Sequence, residues 1–291
     1  MNQSKRVVLI TGCSSGFGYL ASLTFARSGD RVIATMRNIE GDAAKMLSEK
    51  AKTEQLDITI QKLDVTKQEE IDSIVKFVQF KYGRIDVLVN NAGFGFLGPI
   101  MDFSIDEIKE QFETNLFGTF RVIKAITPMM VQQKSGMIIN LSSINGLMSF
   151  PFFGVYSSSK FALETLTEAL RFELNPFNVK VALVEPGSFL TEFANKKKNP
   201  QASKSEDSPL NNISKNFFEK YEQAGNYAKN SFLQKLLNPQ RVVHRIYSIS
   251  KQNNPRLHHI IGYDAHLYYW GRKILPRFIW EKLIIQIMGL G

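Results

Sequence analysis

Apolar residues alternate along this chain between short continuous runs and longer segments that repeat every three or four residues. The short runs are rich in β-branched residues, which is typical of buried strands in a parallel sheet. The segments between them carry apolar positions at helical spacing, as at Ile71, Ile74 and Val78. The predicted strands cover residues 6–10, 31–35, 58–63, 86–89, 137–141, 179–185 and 259–262.

This alternation predicts an α/β fold with a doubly wound parallel sheet of about seven strands and helices on both faces. We expect one domain over residues 1–291. In such a Rossmann-type sheet, a ligand lies at the carboxyl ends of the strands. Gly12, Arg37, Asp64 and Asn91 each closely follow a predicted strand. Their convergence predicts a ligand site at that edge.

The segment Thr11–Gly18 joins the first predicted strand to the first predicted helix. A glycine turn at a helix N-terminus lets backbone N–H groups approach a pyrophosphate, and the helix dipole favours negative charge there. Its G-x-x-x-G-x-G spacing differs from the usual G-x-G-x-x-G, and the alternative is an ordinary turn. Cys13, inside this turn, is either a small residue that fits or, less favoured, a thiol activated by the helix.

The second predicted strand ends at Arg37 rather than at an acidic residue. An acidic residue at this position selects NAD, whereas an arginine pairs with the adenosine 2′-phosphate. We therefore expect NADP(H) to be favoured over NAD(H). The alternative is a solvated surface arginine.

Tyr156 and Lys160 stand four residues apart in a predicted helix, which places both side chains on one face. A neighbouring ammonium favours the phenolate and should lower the tyrosine pKa from about 10. The pair could then exchange a proton with a carbonyl or alcohol oxygen. Alone, the same spacing is more often a surface contact.

Asn115 lies in another helical region. If it is buried, its amide needs hydrogen-bond partners; the alternative is a surface asparagine.

Composition narrows the class of protein. The 291 residues are 44% hydrophobic and 22% charged, with a formal net charge of +9, which is ordinary for a globular protein. A basic balance fits nucleic acid, an anionic membrane or an anionic cofactor, but no nucleic-acid motif is present. The single cysteine excludes an intrachain disulfide, and no apolar run is long enough for a membrane span or a signal peptide. We expect a cytoplasmic protein, with membrane association as an alternative.

Taken together, the motifs resemble those of the short-chain dehydrogenases/reductases with a single compact domain. The region 143–172 and Ala34–Arg37 look like the hydroxysteroid and retinol dehydrogenase branch of that family. The matching set is T-G-x-x-x-G-x-G at Thr11 to Gly18, N-N-A-G at Asn90 to Gly93, Asn115, Ser143, Tyr156-x-x-x-Lys160 and Pro186-Gly187-x-x-x-Thr191.

The resemblance implies reversible hydride transfer between a nicotinamide and a carbonyl or secondary alcohol carbon. Tyr156 would donate the proton, Lys160 would lower the tyrosine pKa and hold the nicotinamide ribose, and Ser143 would polarise the substrate oxygen. Asn115 would support a water that connects Lys160 to solvent. The implied cofactor residues are Gly12, Ser15, Gly16, Phe17 and Gly18 at the pyrophosphate, Arg37 at the 2′-phosphate, Asp64 and Val65 at the adenine, Asn91, Ala92 and Gly93 at its ribose, and Pro186, Gly187 and Thr191 at the nicotinamide, together with Tyr156 and Lys160.

The last third of the chain has two features of its own. Residues 188–237 are polar and irregular, and a connection this long is usually a lid, a binding loop or disorder. The resemblance implies that this region covers the substrate. Its Lys196-Lys197-Lys198 run is interpreted as a solvated loop, with attraction of an anionic substrate as the alternative. The aromatic residues offered there for an apolar pocket, or for packing a short lid helix, are Phe193, Phe217, Phe218, Tyr221 and Tyr227.

Residues 264–291 form a predicted amphipathic helical extension rich in aromatic, aliphatic and basic residues. Such a segment suits a helix on a membrane surface, a helix over the substrate mouth or contact with a second subunit. The four histidines show no ligand spacing, so we expect no metal. By resemblance we expect a homo-oligomer, through apolar faces on the helices that carry Gly118 and Tyr156.

The function predicted first is an NADP(H)-dependent oxidoreductase acting on a lipophilic, steroid-like or retinoid-like, carbonyl or alcohol. The alternatives are an NADPH-sensing regulator without turnover and a membrane-associated protein whose tail is the main function. The complete set of Asn115, Ser143, Tyr156 and Lys160 argues against a sensor, because sensing needs no proton relay.

Overall fold

The computed structural model describes residues 5–192, 197–204, 210–229 and 233–290, and its centre is a seven-stranded parallel sheet. The strands are β1 (Val7–Ile10), β2 (Arg31–Met36), β3 (Ile58–Lys62), β4 (Val87–Asn90), β5 (Gly136–Leu141), β6 (Val179–Pro186) and β7 (His258–Ile261). Their spatial order is β3-β2-β1-β4-β5-β6-β7. The strand order reverses between β1 and β4, which confirms the doubly wound fold predicted from the sequence.

Helices cover both faces of this sheet. Short 3-10 turns also occur, including residues 144–146 after β5. The helices are α1 (Gly16–Arg27), α2 (Asp42–Thr53), α3 (Gln68–Lys81), α4 (Ile105–Phe112), α5 (Thr119–Gln133), α6 (Gly154–Leu174), α7 (Asn211–Lys229), α8 (Leu233–Leu236), α9 (Gln240–Ile249), α10 (Tyr263–Ile274) and α11 (Arg277–Ile287), with a π-helical segment, Glu113–Gly118, between α4 and α5.

Each face of the sheet has its own apolar core. Side chains alternate between the faces along a strand, so Val8 and Ile10 of β1 pack into one core and Val7 and Leu9 into the other. The first core joins the sheet to α1, α2 and α9, and the second joins it to α3, α5 and α6. The near-continuous burial of β1 explains why it reads as an unbroken apolar run rather than an alternating one.

A third core lies outside the sheet. It joins the segment after β5 to α7, α10 and α11, through Phe150, Phe217, Ala265 and Ile284 among others. The stretch 188–237, expected to be irregular, contains the 19-residue helix α7. The C-terminal extension consists of two helices rather than one. Both helices owe their order to packing against this core, a long-range contact that local sequence does not report.

Candidate active site

The loop between β1 and α1 owes its shape to glycine. Gly12 and Gly16 have φ values of +72° and +58°, in the left-handed region that other residues rarely enter. Asn91, just after β4, locks the loop by donating from Nδ2 to the carbonyl oxygens of Thr11 and Gly12, both at 2.9 Å. The loop therefore presents the N-terminus of α1 at the carboxyl edge of the sheet.

Gly18 supports this loop from behind. A Cβ atom at Gly18 would lie 2.4 Å from the carbonyl oxygen of Gly12 and 2.5 Å from Nδ2 of Asn91. A Cβ at Gly12 would lie 2.8 Å from Cα of Ala92. These approaches leave no room for side chains, which matches a cradle that brings backbone N–H groups close to a pyrophosphate.

Cys13 does not have the reactive role considered from the sequence. The thiol is fully buried and donates to the carbonyl oxygen of Ile10 at 3.2 Å. Burial raises the pKa of Cys13 to about 12, against the lowering effect of hydrogen bonds with Ser22 and Thr35. A thiol held neutral and out of solvent is not a nucleophile, so the structure supports the small-residue interpretation.

The next two strands end in residues suited to an adenosine. Arg37 is exposed directly after β2, and no ion pair joins it to another described residue. Asp64 follows β3 closely and accepts hydrogen bonds from the backbone N–H and hydroxyl of Thr66, at 3.0 and 2.8 Å. Val65 is buried against Gly118. A cation and a carboxylate therefore flank one end of the site.

Ser143, Tyr156 and Lys160 meet at the opposite end. All three are buried, Tyr156 and Ser143 share a hydrogen bond, and Nζ of Lys160 lies 5.9 Å from the centroid of the Tyr156 ring. Nζ of Lys160 also donates to the carbonyl oxygen of Leu141, at the end of β5, at 2.8 Å. The helix spacing expected from the sequence therefore places phenol, ammonium and hydroxyl together.

The pKa values of this group differ from the sequence-based expectation. Burial raises the pKa of Tyr156 to about 12, although its hydrogen bond with Ser143 lowers it. Burial also lowers the pKa of Lys160 to about 8, against the charge of Glu164. Desolvation, not the expected effect of the Lys160 ammonium, sets the direction of the shift in the tyrosine pKa, because the phenol lies out of solvent.

Asn115 is fully buried. It is therefore not a surface amide, and its side chain has the hydrogen-bond partners that burial requires. Its Oδ1 accepts from the N–H of Phe94 at 3.1 Å, and its Nδ2 donates to the carbonyl oxygen of Phe94 and to Oγ of Ser159, at 2.9 and 3.2 Å. It sits in the π-helical segment, a distortion that is frequent at functional sites. It connects the loop after β4 to α6, which carries Tyr156.

These residues surround one cavity of about 1200 Å³. It runs along the carboxyl edge of the sheet from Arg37 to Tyr156. Of the residues predicted for the site, Gly18 and Asn115 lie behind its wall, where they make the contacts described above. The predicted residues that line it are Gly12, Ser15, Gly16, Phe17, Arg37, Asp64, Val65, Asn91, Ala92, Gly93, Ser143, Tyr156, Lys160, Pro186, Gly187 and Thr191.

The sequence profile of the short chain dehydrogenase family matches residues 6–202. The chain belongs to the short-chain dehydrogenase family. It is 37% identical over 285 residues to the uncharacterized oxidoreductase YusZ of Bacillus subtilis, a match covering 97% of this chain and 98% of that protein. It is 40% identical over 201 residues to human retinol dehydrogenase 8, covering 67% of this chain and 63% of that protein.

Solved structures of short-chain dehydrogenases agree with this assignment. A short-chain dehydrogenase from Streptomyces avermitilis superposes with a TM-score of 0.76 at 32% identity, covering 96% of this chain and 98% of the other. ElxO with NADP bound superposes with a TM-score of 0.71 at 27% identity, covering 89% and 96%. The chain is therefore an oxidoreductase of this family, as expected from its motifs.

The side of the cavity next to Tyr156 contains residues that the sequence did not single out. Phe150 and Phe153 come from the segment between β5 and α6, and Tyr268 comes from α10. Of the predicted aromatic residues, Phe217 and Tyr221 line the cavity, Phe218 packs on Phe152, Tyr227 is exposed on α7 and Phe193 lies outside the described residues. Residues 286–289 of the tail complete the wall.

The lysine run is not simply solvated. Lys197 pairs with Glu222 at 2.8 Å, and Lys198 pairs with Glu110 at 2.5 Å and lines the cavity. Lys196 lies outside the described residues. Glu110 was not predicted either, because its position opposite the lysine depends on the fold of α4 against a loop almost 90 residues later.

Asp264, near the start of α10, was also missed. Its Oδ2 accepts from the N–H of Ser188 at 2.7 Å, and its carboxylate presses against Gly187 so closely that a Cβ there would lie 2.4 Å from Oδ1. Asp264, the second residue of α10, thereby positions the loop after β6. Asp264 and Ser188 are 76 positions apart in the sequence, so no local sequence pattern predicts their contact.

One histidine meets carboxylates after all. Nδ1 of His258 lies 2.7 Å from Oε1 of Glu185 and 3.5 Å from Oε2 of Glu164, and one ligand atom from each residue falls within 4.8 Å of the others. Burial and the charge of Glu185 raise the pKa of Glu164 to about 8, and the hydrogen bond with Glu185 raises the pKa of His258. Three groups of this kind could hold a metal ion, although the histidines show no ligand spacing in the sequence; the expectation that the protein has no metal stays a prediction.

Among the described residues, no helix combines the length and apolar character that a membrane span requires.

Proposed function

We propose that this short-chain dehydrogenase transfers hydride between NADP(H) and a carbonyl or secondary alcohol of a lipophilic substrate, with Tyr156 as the proton donor or acceptor. The observation that carries the proposal is the shared cavity, which has Arg37 and the glycine cradle at one end and Ser143, Tyr156 and Lys160 at the other. The nicotinamide, when bound, supplies or accepts the hydride. The protein supplies binding, orientation and the proton.

The residues that would hold the dinucleotide fit it chemically. Where a Cβ atom would collide at Gly12 and Gly18, the backbone can approach a pyrophosphate closely. Asp64 and Val65 are available to the adenine, Asn91, Ala92 and Gly93 to its ribose, and Lys160 to the nicotinamide ribose. Pro186, Gly187 and Thr191 would lie against the nicotinamide, next to Tyr156.

The proton chemistry follows from the buried trio. The Ser143 hydroxyl can donate to the substrate oxygen, which stabilises negative charge as it develops. Tyr156 can then give its proton to that oxygen, and the Lys160 ammonium favours the phenolate that remains. Lys160, whose pKa is near 8, changes its own charge close to neutrality. Asn115 would hold in place the segment at which a water could connect Lys160 to solvent and return a proton to the site.

The preference for NADP(H) over NAD(H) rests on Arg37. It is exposed at the adenosine end and pairs with no other described residue, so its guanidinium is available to a 2′-phosphate. Two further observations agree. No acidic residue occupies that position, and the similar structure of ElxO was solved with NADP bound.

The lipophilic substrate is supported by the aromatic wall of the cavity. Phe150, Phe153, Phe217, Tyr221 and Tyr268 surround the side next to Tyr156, and apolar walls with few polar groups select apolar ligands. Relatives named retinol dehydrogenase 8 and 3-ketodihydrosphingosine reductase, the latter from Bacteroides thetaiotaomicron, are 40% and 38% identical over the regions they share with this chain. We therefore propose a substrate with a long or polycyclic hydrocarbon body.

Three features beyond the site belong to the same proposal. Residues 1–291 would form one domain, with 188–237 as the lid, because α7 and the loop that carries Lys198 cover the cavity. The chain would form a homo-oligomer through exposed aromatic residues on the π-helical segment, α5 and α6, namely Phe117, Phe120, Phe161 and Phe172.

Tyr156→Phe tests the reaction. The variant should bind NADPH with an unchanged Kd, measured by calorimetric titration beside NADH, and should lose about 10²- to 10⁴-fold in kcat on the best of a panel of lipophilic carbonyls. Ser158→Ala is a matched control, since Ser158 is exposed two residues away on α6 and its hydroxyl donates only to the carbonyl oxygen of Gly154. Near-normal turnover by Tyr156→Phe would remove the proton role. Wild-type binding of NADPH with no turnover across the panel would favour the sensor alternative.

A further inference from the structure

The two C-terminal helices expose apolar side chains on the side turned away from the cavity. On α10, Tyr263, Leu267, Trp270 and Ile274 follow the spacing i, i+4, i+7 and i+11 and so share one stripe. The buried Ala265 lies on the opposite side of that helix. Helix α10 is therefore apolar on two opposite sides. The third core covers one of them, and the other is exposed.

The exposed surface continues on α11. Ile284 is buried in the third core, and Trp280 packs on Tyr268 with ring centroids 6.4 Å apart, whereas other apolar residues of this helix face outward. We call the exposed residues Leu267, Trp270, Ile274, Phe278, Ile279 and Leu283 the tail face. Their side chains are between 37% and 73% exposed. Exposed apolar residues concentrated on two successive helices point to an interaction surface.

Basic residues accompany the tail face. Arg272, Lys273, Arg277 and Lys282 are all exposed. Arg272 donates to the carbonyl oxygen of Leu147 at 2.7 Å and Arg277 pairs with Glu281, so Lys273 and Lys282 are the cations available at the margin. Nζ of Lys273 lies 4.4 Å from the ring centroid of Tyr269 and 5.9 Å from that of Trp270. The acidic groups of the same helices are already engaged: Glu281 pairs with Arg277 at 2.7 Å, and Asp264 turns inward to Ser188. The tail face is therefore apolar at its centre and positively charged at its margin.

A second copy of this chain fits the tail face poorly. A two-fold dimer would bring the same patch of both subunits together, so Lys273 and Lys282 of one copy would face those of the other, and like charges at an interface oppose association. The other exposed aromatic face, which includes Phe161 and Phe172, carries acidic Glu168 and Glu173 on the same helix and lacks this basic margin. A second copy therefore has a better surface elsewhere.

An anionic lipid surface satisfies both features. Tryptophan and aliphatic side chains partition into the boundary between headgroups and acyl chains, while lysine and arginine extend toward negatively charged headgroups. The net charge of +9 attracts the whole chain to such a surface. We propose that the tail face docks on an anionic lipid bilayer, with α10 and α11 lying in the plane of the interface.

The tail face also adjoins the cavity. Residues 286–289, at the end of α11, line the cavity wall, and Met288 packs against the third core. Docking would thus bring the tail side of the cavity next to the lipid phase, where a lipophilic substrate would be most concentrated. This last step rests on the proposed function, but the docking itself does not.

Vesicle binding by the full-length protein tests the docking. Vesicles of phosphatidylcholine with 25% phosphatidylglycerol should co-sediment the protein about tenfold more strongly than vesicles of phosphatidylcholine alone, and added salt should weaken the binding. Leu267→Asn combined with Ile274→Asn should lower the partition coefficient at least tenfold. Phe172→Asn is the matched control, because Phe172 is equally exposed on the other aromatic face. Lys273→Glu with Lys282→Glu should remove the preference for the anionic vesicles.

A spectroscopic readout locates the contact. The chain has two tryptophans, so Trp280→Phe leaves Trp270 as the reporter. Its emission should shift to shorter wavelength on binding and be quenched by lipids brominated on the acyl chain.

Equal sedimentation of the Leu267/Ile274 variant and the Phe172 control would overturn the proposal. So would a change in molar mass by light scattering in the tail variant without any vesicle binding, which would identify a second copy as the occupant. Because none of these readouts measures turnover, an inactive enzyme that binds vesicles would refute the proposed reaction and leave the docking supported.

Discussion

The two ends of the cavity are built in different ways. The end proposed for the cofactor, the cofactor end, contains the phosphate loop and the residues after β2, β3 and β4, with hydrogen bonds such as those from Asn91 to Thr11 and Gly12. The end proposed for the substrate, the substrate end, has aromatic side chains from the segment after β5 and from α7 and α10, together with residues 286–289 at the end of α11. On this proposal, fixed backbone geometry would bind the cofactor, whereas the substrate would be recognised by side chains that can be replaced.

This contrast has an energetic side. At the cofactor end, added atoms would meet backbone at 2.4 to 2.8 Å, and backbone cannot give way without moving a strand or a helix. At the substrate end, ring–ring contacts such as that between Phe152 and Phe217, with centroids 5.0 Å apart, tolerate other apolar residues of similar volume. Small substitutions should therefore be severe at one end and mild at the other.

Gly18→Ala should produce the largest effect on the cofactor end. Its methyl group cannot fit beside the Gly12 carbonyl, so the phosphate loop must shift, and loss of one hydrogen bond to a charged phosphate, worth about 1.5–3 kcal/mol, weakens binding by about 10- to 100-fold. The Kd for NADPH, measured by calorimetry, should rise by that order. Gly83→Ala is the control, because it adds a methyl group far from the cavity: Gly83 has a positive φ, which Gly18 lacks, and has nothing within 4 Å of an added Cβ. An equal loss of NADPH binding in both variants would mean that general destabilisation rather than the cradle is responsible.

Arg37→Asp should act on one cofactor only. Loss of the guanidinium and repulsion by the new carboxylate should lower the preference for NADPH over NADH by about 10- to 100-fold. The ratio of the two Kd values measures it. Lys76→Asp makes the same charge change on the exposed side of α3 and should leave the ratio unchanged. An unaltered ratio in Arg37→Asp would mean that the 2′-phosphate is bound by other residues or is absent.

Phe217→Leu should show the tolerance of the substrate end. The smaller side chain removes apolar contact worth about 1 kcal/mol, so KM for a lipophilic substrate should rise about 5- to 10-fold while the Kd for NADPH is constant. Tyr227→Leu, on the exposed side of the same helix, serves as the control. A change in the NADPH Kd equal to the change in KM would contradict the separation of the two ends.

The same contrast explains what could be predicted from the sequence. The strand ends that carry Gly12, Arg37, Asp64 and Asn91 follow from short apolar runs, because a parallel strand buried on both faces leaves that signature. The whole cofactor edge could therefore be assembled residue by residue. The fold and the family were confirmed, while the roles assigned to individual site residues stay predictions.

The substrate end could not be assembled in that way. Helix α7 has a polar, lysine-rich sequence, and its order depends on Phe217 meeting Phe152 and Phe153 in space. Asp264 reaches Ser188, and His258 reaches Glu164 and Glu185, across 73 to 94 positions. Local periodicity carries no information about such contacts. The raised pKa of Tyr156 was missed for a related reason, since burial depends on the neighbours that the fold supplies.

Lys160 lies between the two ends of the cavity, and Glu164 lies one turn further along α6. Because burial raises the pKa of Glu164 from 4.5 to about 8, folding takes up a proton. The resulting stability is fully present below pH 4.5 and is lost as the pH rises through about 8. His258, whose pKa is also raised, has the same sign. Lys160 changes the free energy of unfolding in the opposite direction, because its pKa is lowered. Its contribution changes over the range from pH 8 to pH 10.5.

Glu164→Gln should therefore flatten the pH dependence of stability between pH 5 and 8. The amide keeps the shape of the side chain but does not titrate, so the fall in the free energy of unfolding across this range should shrink by about 1–2 kcal/mol. Urea denaturation at both pH values measures it. Glu173→Gln, an exposed position on the same helix, should retain the full fall. If Glu164→Gln also retains the full fall in stability, the Glu164 carboxyl titrates normally in the folded protein. Its surroundings, between the cofactor and substrate ends, would then be more open to water than its burial indicates.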